Sequence, residues 1–322
     1  MRWLITGGAG YIGAHVARAM VEGGHDVVVL DDLSTGRRER VPAGAPLVEG
    51  SVLDAGVVRR ALEGVDGVVH VAAKKQVGES VADPLGYYRE NVTGLQVLLE
   101  QCRDAGVGRF VFSSSAAVYG DVPDELVLED GPTRPASPYG ETKLVGEWLV
   151  RDCAVAHGLS AVCLRYFNVA GAGSPELGDA GVFNLVPIVF EALAQGRRPQ
   201  VFGTDYPTAD GSCVRDYVHV ADIARAHLVA ADGLGEPGHV RTYNVGAGTG
   251  TSVLEVLDVV AEVTGQDTSY DVVGRRPGDP ARLVAAVGRI RDDLGFTTQH
   301  ELRSMVASAW AAWQHRTGTP SH

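Results

Sequence analysis

Residues 3–13, WLITGGAGYIG, join a short strand-like run to a glycine-rich turn, and a helical pattern begins at Tyr11. Glycines are needed in such a turn because the backbone must bend tightly, approach a pyrophosphate and let strand and helix pack closely. The start of the helix then offers free N–H groups and the positive end of its dipole to the phosphates. The stretch predicts a dinucleotide site with Gly7, Gly10 and Gly13 at the cofactor.

The end of the second predicted strand bears on the type of dinucleotide. Asp31 stands there, and a carboxylate at this point accepts hydrogen bonds from the adenosine ribose hydroxyls and repels a 2′-phosphate. The sequence therefore favours NAD, while Arg37 and Arg38 nearby keep NADP as the alternative.

Strand-like and helix-like patterns alternate through the first half of the chain. Strands are predicted at 3–6, 26–31, 46–49, 67–72, 109–113 and 159–164, and helices at 11–22, 54–63, 88–105 and 138–157. This alternation predicts an α/β fold with a Rossmann-type, doubly wound parallel sheet covered by helices on both faces.

The second half is less regular. Glycine, proline and asparagine are frequent at 168–181 and 203–211, and helices are predicted near 183–195, 220–231, 252–264 and 301–314. We expect residues 1–166 to form the NAD-binding domain, which also receives segments from about 212–250. Residues 167–322 would mainly form a smaller α/β substrate domain.

The composition argues against several functional classes. The chain has 322 residues, of which 45% are hydrophobic, and its 40 acidic and 28 basic residues give a net charge of −12. No nucleic-acid partner is expected, because such proteins carry a basic excess or stripe. The apolar runs are too short to span a bilayer and no charged-then-apolar leader precedes the first strand, so neither a membrane nor a signal peptide is expected. Four cysteines without a Cys-x-x-Cys pair indicate free thiols in the cytoplasm, and no metal site is expected.

Two groups of residues indicate proton chemistry. Ser113, Ser114 and Ser115 end the fifth predicted strand, at the carboxyl edge of the sheet where ligands bind in doubly wound folds. Tyr139 and Lys143 lie one helical turn apart on the same face of a helix. A phenol, with a pKa of about 10, acts as a base at neutral pH only if its anion is stabilised. The lysine ammonium and the positive nicotinamide ring would stabilise it, and a serine hydroxyl would hold the substrate oxygen or relay its proton.

Further motifs follow in order along the chain. They are SSSAAVYG at 113–120, SPYG at 137–140, LRYFN at 164–168, DYPT at 205–208, VRDYVHV at 214–220 and RRPGD at 275–279. With the glycine turn and the Tyr139-x-x-x-Lys143 pair, they make the chain similar to the UDP-glucose 4-epimerase family of extended short-chain dehydrogenases/reductases. The matches run from residue 3 to residue 285.

The resemblance implies an isomerase that inverts C4 of a UDP-hexose through a transient 4-keto sugar. Tyr139 would act as the base, Ser115 would relay the proton and Lys143 would hold the nicotinamide ribose. NAD would take and return the hydride and stay bound as a prosthetic group, because the cycle has no net redox change. The resemblance also implies a place in galactose metabolism and a homodimer paired through the helices at 88–105 and 138–157.

The resemblance assigns binding residues as well. The cofactor set is Gly7, Gly10, Tyr11, Ile12, Gly13, Asp31, Asp32, Ser34, Ser51, Val52, Val71, Ala72, Ala73, Lys75, Asn91, Ser113, Tyr139, Lys143 and Tyr166. The UDP-sugar set is Ser115, Tyr139, Asn168, Asn184, Leu185, Val201, Phe202, Arg215, Tyr217, Arg276, Asp279 and Leu283. The planar guanidinium groups of Arg215 and Arg276 suit diphosphate oxygens. Three positions depart from the family pattern: Ser51 replaces an adenine-contacting Asp, Asp32 replaces a frequent Asn, and Ala285-Ala286 stands in place of the family's Ala-Asp pair.

Three alternatives differ in substrate or activity. A UDP-sugar 4-epimerase for N-acetylhexosamines or pentoses would share the catalytic residues. In the family, a tyrosine at the position of Leu283 closes the pocket against an acetamido group at sugar C2. A 4,6-dehydratase needs acidic groups after the active-site serine, but Ala116 and Ala117 follow Ser115. A cofactor-binding regulator without turnover could lose the tyrosine–lysine pair, which this chain keeps.

Overall fold

Strands and helices alternate along the chain in the computed structural model, which describes residues 1–122, 125–276 and 278–318. The strands are β1 (Arg2–Thr6), β2 (Asp26–Asp31), β3 (Leu47–Glu49), β4 (Gly67–His70), β5 (Arg109–Ser113), β6 (Ser160–Tyr166), β7 (Asn168–Ala170), β8 (Gln200–Phe202), β9 (Val214–His219), β10 (Val240–Val245), β11 (Gly250–Ser252), β12 (Asp271–Val273) and β13 (Arg282–Leu283). The helices are α1 (Tyr11–Glu22), α2 (Ala55–Ala61), α3 (Val77–Ala82), α4 (Pro84–Tyr88), α5 (Gly94–Ala105), α6 (Pro138–His157), α7 (Leu185–Ala194), α8 (Val220–Asp232), α9 (Val253–Thr264), α10 (Gly288–Leu294) and α11 (Leu302–Thr317).

A seven-stranded sheet lies at the centre, in the order β3-β2-β1-β4-β5-β6-β10. All of its neighbouring strands are parallel. The apolar β1 is covered on both faces, and Trp3, Leu4 and Ile5 have no exposed surface. The strand order reverses between β1 and β4, and in doubly wound sheets the carboxyl edge at this point forms the ligand crevice.

The two faces of this sheet carry separate apolar cores. Val16 of α1 and Ile223 of α8 belong to the core on one face. Val58 of α2, Leu98 of α5 and Val150 of α6 belong to the core on the other. Helices on both faces of a parallel sheet confirm the predicted Rossmann-type fold class.

The remaining strands form small sheets near the carboxyl edge. β9 pairs in parallel with β7 and β13 and antiparallel with β11, while β8 pairs with β12. Helices α7, α9 and α11 pack around a third core that contains Val189, Leu257 and Val306. This region carries most of the predicted UDP-sugar residues.

Strand β10, which comes from the second half of the chain and lies beside β6, was not predicted from the sequence. Its first residues explain the omission, because Arg241 is exposed and Val240 and Thr242 are half-buried. An edge strand of this kind lacks the continuous apolar run of a buried parallel strand.

The helix predicted at 88–105 is present, but it begins earlier, at Pro84, and contains a π-helical turn. α4 begins with Pro84 after Asp83, whose carboxylate accepts a hydrogen bond from the Gly86 nitrogen at 3.0 Å. A π-helical turn, Arg89–Thr93, then joins α4 to α5. Such turns insert one residue into a helix and often occur at functional sites. Here the turn contains the buried Asn91, which belongs to the predicted cofactor set.

The cysteines all carry free thiols, and Cys102, Cys163 and Cys213 are buried. Burial raises the pKa of the Cys102 thiol to about 12, which keeps it protonated at neutral pH. None of the helices within residues 1–122, 125–276 and 278–318 has the length and apolar character needed to cross a membrane.

Candidate active site

The glycine turn after β1 brings backbone close to backbone. Gly7 has a φ of +70°, which favours glycine, and a Cβ there would lie 2.7 Å from the nitrogen of Ala72. A Cβ on Gly13 would overlap the carbonyl oxygen of Gly7. α1 starts after Gly10, which has no side chain to cap the helix. The first-turn N–H groups therefore remain for a ligand, and the arrangement fits a pyrophosphate.

The Asp31 carboxylate has a fixed orientation at the end of β2. Its oxygens accept hydrogen bonds from the backbone nitrogens of Ala9 and Leu33, each at 2.9 Å. A Cβ on Gly36 would lie 2.6 Å from one of these oxygens. Burial raises the pKa of Asp31, and the two backbone hydrogen bonds oppose that rise. Lone pairs remain on both oxygens, so the group fits two ribose hydroxyls.

Neighbouring charges bear on the choice between NAD and NADP. The Arg38 guanidinium is paired with the Glu49 carboxylate. Asp32 accepts hydrogen bonds from the backbone nitrogen and the hydroxyl of Ser34, at 2.9 and 2.6 Å, and so shapes the turn after β2. A buried carboxylate and an arginine that already has a partner suit an unphosphorylated ribose.

Asn91 holds the loop that follows β4. Its Oδ1 accepts a hydrogen bond from the Lys74 nitrogen at 2.8 Å, and its Nδ2 donates to the Lys74 carbonyl and the Thr142 hydroxyl, both at 3.0 Å. Both amide hydrogens are thereby used, so Asn91 lies behind the loop and shapes it. Lys75, the next residue, has its ammonium 3.8 Å from the Asp179 carboxylate.

The loop between β7 and α7 faces the start of α1. The Tyr11 hydroxyl donates a hydrogen bond to the Gly171 carbonyl at 2.5 Å. Asp179 accepts hydrogen bonds from the Asn184 amide at 2.9 Å and the Gly181 nitrogen at 3.0 Å. Asp179 was not predicted as a site residue, and its only signal in the sequence is its position in the glycine-rich stretch 168–181.

The end of β5 is bound to α6. The Lys143 ammonium donates a hydrogen bond to the Ser113 carbonyl at 2.8 Å and lies 5.2 Å from the centre of the Phe112 ring. The lysine is buried, and burial lowers its pKa to about 8. Its ammonium is therefore still mainly protonated at neutral pH.

Tyr139 lies one turn before Lys143 on α6 and is buried. Burial raises the pKa of its phenol, and a hydrogen bond with Ser115 opposes that rise. The Ser115 hydroxyl also accepts a hydrogen bond from the Ala117 nitrogen at 3.2 Å. The three predicted catalytic residues are thus brought to the end of one strand, where a phenol and a hydroxyl can share a substrate proton.

Glu147 extends this face of α6 by one more turn and was not predicted. It accepts a hydrogen bond from the Ser114 hydroxyl at 2.5 Å and two from Arg165, at 2.8 and 2.6 Å. The spacing of four residues after Lys143 is the only signal for it in the sequence. One face of α6 therefore holds each of the three consecutive serines 113–115.

A second group of predicted residues lies on β9 and the segment after β12. The buried Arg215 guanidinium donates hydrogen bonds to the Val214 carbonyl at 2.8 Å and to the Asp279 carboxylate. The Arg276 guanidinium lies 3.8 Å from the centre of the Phe202 ring. Pro277, which belongs to the same motif, lies outside the described residues.

Leu283 lies beside Arg215 of β9 and beside the apolar cluster that follows Ser115. β13 pairs with β9 so that Leu283 stands opposite Arg215. Its half-buried side chain packs against the apolar cluster that contains Ala116 and Phe167. Its two neighbours differ, because Val284 is fully buried and Arg282 is directed to the Glu125 carbonyl at 3.2 Å.

The other predicted residues surround the crevice or support it. Asn168 is exposed on β7 and stands opposite the buried Tyr217 of β9. The Ser51 hydroxyl accepts a hydrogen bond from the Leu53 nitrogen at 3.1 Å. Val71, Ala72 and Ala73 follow β4, Val52 follows β3, Ile12 is in the first turn of α1, Tyr166 ends β6, Leu185 begins α7 and Val201 is buried in β8. Within the described part of the chain, His, Cys, Asp and Glu side chains form no cluster of three or more that could hold a metal ion.

Known proteins are similar to this chain in sequence. The "NAD dependent epimerase/dehydratase family" matches residues 3–246. The chain is 46% identical over 316 residues to the UDP-glucose 4-epimerase of Streptomyces lividans, covering 96% of this chain and 95% of that one. It is 45% identical over 320 residues to the UDP-glucose 4-epimerase of Azospirillum brasilense, covering 97% and 92% of the two chains.

The fold also matches a solved structure closely. The UDP-glucose-4-epimerase from Stenotrophomonas maltophila, crystallised with bound NAD and formylated UDP-arabinopyranose, superposes with a TM-score of 0.95 at 37% identity. The match covers 99% of this chain and 100% of that one. The protein therefore belongs to the NAD dependent epimerase/dehydratase family, among the UDP-glucose 4-epimerases.

Proposed function

We propose that the protein interconverts UDP-glucose and UDP-galactose by inverting C4 of the hexose, with NAD as a resident cofactor. The observation that carries this proposal is the convergence of Ser115, Tyr139 and Lys143 beside a glycine turn that fits a pyrophosphate. The similarity to UDP-glucose 4-epimerases over nearly the whole chain supports it. Bound NAD supplies the centre that takes the C4 hydride and returns it.

Residues along the crevice would hold this cofactor. The first turn of α1 would bind its pyrophosphate through backbone N–H groups. Asp31 would accept hydrogen bonds from the adenosine ribose, and Lys143 would donate to the nicotinamide ribose. Lys75, on the loop fixed by Asn91, would add a positive charge at the mouth of the crevice.

The proton steps would use Tyr139 and Ser115. The phenolate oxygen of Tyr139 would take the proton of the sugar 4-hydroxyl, and the resulting phenol would give it back when the keto oxygen becomes a hydroxyl again. Ser115 would orient the sugar oxygen through a hydrogen bond. Because burial raises the pKa of the phenol, the anion needs a positive charge nearby, and the buried Lys143 ammonium would provide part of it.

The UDP group would bind along β8 and β9. Arg215 already has an anionic partner in Asp279, and a diphosphate offers it oxygens of the same kind. Arg276, stacked on Phe202, would be the second arginine at the diphosphate, with the uracil near Phe202 and Asn184. Asn168, Leu185, Val201 and Tyr217 would complete this side.

A 4,6-dehydratase is less compatible with the site. Elimination of water needs an acid and a base at C5 and C6, in addition to the tyrosine. Ala116 and Ala117 follow Ser115 in a short 3-10 turn, and neither can transfer a proton. We therefore retain epimerisation, with N-acetylhexosamines or pentoses as alternative sugars.

We also propose that different parts of the chain bind the cofactor and the substrate. Residues 1–166, with segments from 212–250, would hold the cofactor, and residues 167–322 would mainly hold the substrate. The place of β10 in the large sheet and of α8 on its face supports this division. A role in galactose metabolism follows from the proposed substrates, and the free cysteines suit a cytoplasmic protein.

The purified protein should retain NAD through gel filtration and convert UDP-galactose to UDP-glucose without added cofactor. Nucleotides released by acid identify the cofactor, and separate incubations with UDP-galactose, UDP-N-acetylgalactosamine and UDP-xylose identify the substrate.

Gly7→Ala should lose the cofactor because its Cβ meets the Ala72 backbone. Gly106→Ala is the matched control, since Gly106 has a φ of +71° but no atom near the added Cβ. Protein without nucleotide, active only with fresh NADP, would contradict the proposal.

Tyr139→Phe should lower kcat by a factor of about 10² to 10⁴, because the variant lacks the general base. It should fold and retain NAD, since one hydroxyl is lost and no cavity is formed. Tyr243→Phe is the control, because Tyr243 lies on the outer strand β10 and its hydroxyl donates to Asp293 of α10. Near-normal kcat in Tyr139→Phe would show that another group is the base.

The protein should be a homodimer. Of the two helices predicted to form the interface, α6 exposes Trp148 at 49% and Val155 at 80%, and Leu85 on the adjacent α4 is 82% exposed. The large apolar residues of α5 instead face the core of their own chain. The partner surface would therefore centre on α6, because exposed apolar residues concentrate there.

Light scattering at micromolar concentration should give twice the chain mass. Trp148→Glu together with Leu85→Glu should give a monomer, because the buried charges would oppose association. Val272→Glu, at an apolar residue that is 56% exposed on β12, should remain dimeric. A monomeric wild type would disprove the assembly.

UDP-N-acetylgalactosamine should be a slower but measurable substrate. Leucine at 283 is shorter than tyrosine and leaves more room at C2, but its apolar face offers the acetamide no hydrogen bond. Leu283→Tyr should lower kcat/KM for the N-acetyl sugar relative to UDP-galactose. Arg282→Tyr is the control, since Arg282 faces the Glu125 carbonyl. An unchanged ratio in Leu283→Tyr, or an inert N-acetyl sugar in wild type, would show that Leu283 does not control the space at sugar C2.

A further inference from the structure

A buried histidine from the second half of the chain touches the end of β5. His227 of α8 has no exposed surface. Its Nε2 lies 2.8 Å from the Ser113 hydroxyl oxygen, and its Nδ1 lies 2.8 Å from the Ile223 carbonyl oxygen. Its ring also packs against Tyr166, with 6.1 Å between the ring centres. The proton steps described above make no use of this imidazole.

The partners of His227 determine where its proton lies. A carbonyl oxygen only accepts hydrogen bonds, so Nδ1 carries the hydrogen and donates to Ile223. Burial lowers the pKa of His227 to about 4, so the ring is neutral at physiological pH and its Nε2 is an acceptor. The Ser113 hydroxyl must then donate to Nε2, which leaves its oxygen lone pairs for other groups.

Ser113 connects several parts of the site. Its carbonyl accepts the hydrogen bond from the Lys143 ammonium at 2.8 Å. Its hydroxyl oxygen also lies beside the half-buried Tyr166 phenol. Ser115, which contacts Tyr139, is only two residues further along the chain. A change in the orientation of Ser113 would therefore displace Lys143 and, through Ser115, Tyr139.

We propose that His227 is a positioning residue for proton transfer: its Nε2 accepts the Ser113 hydroxyl and thereby fixes the strand end on which Lys143 and Ser115 depend. This inference rests on the proposed epimerase function. α8 follows β9, the strand that carries Arg215, so the same segment of the chain would orient the base and bind the diphosphate.

An apolar side chain at 227 would fill the core without fixing Ser113. The buried hydroxyl would then lack an acceptor and would turn toward another one, disturbing the Lys143 hydrogen bond to the same residue. A displaced ammonium stabilises the Tyr139 phenolate less well. The pKa of the base would rise and kcat would fall at neutral pH, while the binding of UDP on β8 and β9 would stay unchanged.

The test compares His227→Phe, His227→Gln, Ser113→Ala and the double variant Ser113→Ala/His227→Phe as NAD-loaded full-length proteins. His25→Phe is the matched control, because it changes a histidine that packs on Trp3 outside the site. For each variant, kcat and KM for UDP-galactose are measured across pH, with NAD content and Tm. The ionisation of Tyr139 is followed as the tyrosinate absorbance difference between each variant and the same variant carrying Tyr139→Phe.

In His227→Phe we expect kcat at neutral pH to fall about tenfold, the size expected for one lost hydrogen bond, with KM and NAD content within about twofold of wild type. The rising limb of the kcat–pH profile and the tyrosinate midpoint should both move to higher pH. His227→Gln should restore most of kcat, because its amide oxygen can accept the Ser113 hydroxyl. In the Ser113→Ala background, His227→Phe should cause no further loss.

A folded His227→Phe holoprotein with wild-type kcat and tyrosinate midpoint would overturn the inference, as would independent, multiplicative losses in the double variant. If His227→Phe alone does not fold, the double variant and His227→Gln still decide, because the double variant removes the Ser113 hydroxyl that His227→Phe would leave without an acceptor. A wild type inert on every UDP-sugar would refute the proposed function instead. The tyrosinate titration would then still test whether His227 positions the site.

Discussion

The hydrogen bond from the Lys143 ammonium to the Ser113 carbonyl joins a long helix to the end of a central strand. A buried ammonium is costly unless its charge is satisfied, and here a carbonyl and the face of Phe112 receive it. Because α6 is a rigid helix, fixing Lys143 also fixes Tyr139 one turn before it and Glu147 one turn after it. The phenol and the serine hydroxyl therefore meet through backbone geometry, and neither depends on a flexible loop for its place.

A buried polar network lies next to the contact between Lys143 and Ser113. Arg165 binds Glu147 through two nitrogens and also donates to the Tyr119 hydroxyl at 2.9 Å. Tyr119 in turn donates to Asn244 of β10 at 2.6 Å. Buried ion pairs are weak evidence for stability, because desolvation offsets much of their attraction. Their directional bonds instead fix how β6, β10 and α6 meet at the end of β5, so a late strand helps to shape a site built mainly by the first half of the chain.

The sequence revealed the parts of the site that depend on local spacing. The glycine turn, Asp31 at a strand end and Tyr139 with Lys143 could be identified because a turn, an alternation or one helical turn relates their members, and the bounds of α1 and α6 were predicted correctly. Glu147, Asp179 and His227 were missed because their roles depend on burial and on partners distant in sequence. The π-helical turn at Asn91 was missed for a similar reason, since the partners of Asn91, the loop after β4 and α6, are distant in sequence and leave no apolar period.

The charges along the crevice suggest how an acidic protein receives an anionic ligand. The chain has a net charge of −12, so long-range attraction does not favour a diphosphate. The cations near the crevice are local, and two of them already have carboxylate partners: Asp279 beside Arg215 and Asp179 beside Lys75. Binding of UDP would then exchange one anionic partner for another, which limits the desolvation of an unpaired guanidinium. The carboxylates also hold these side chains in place beforehand, so part of the ordering that binding requires is already present in the fold.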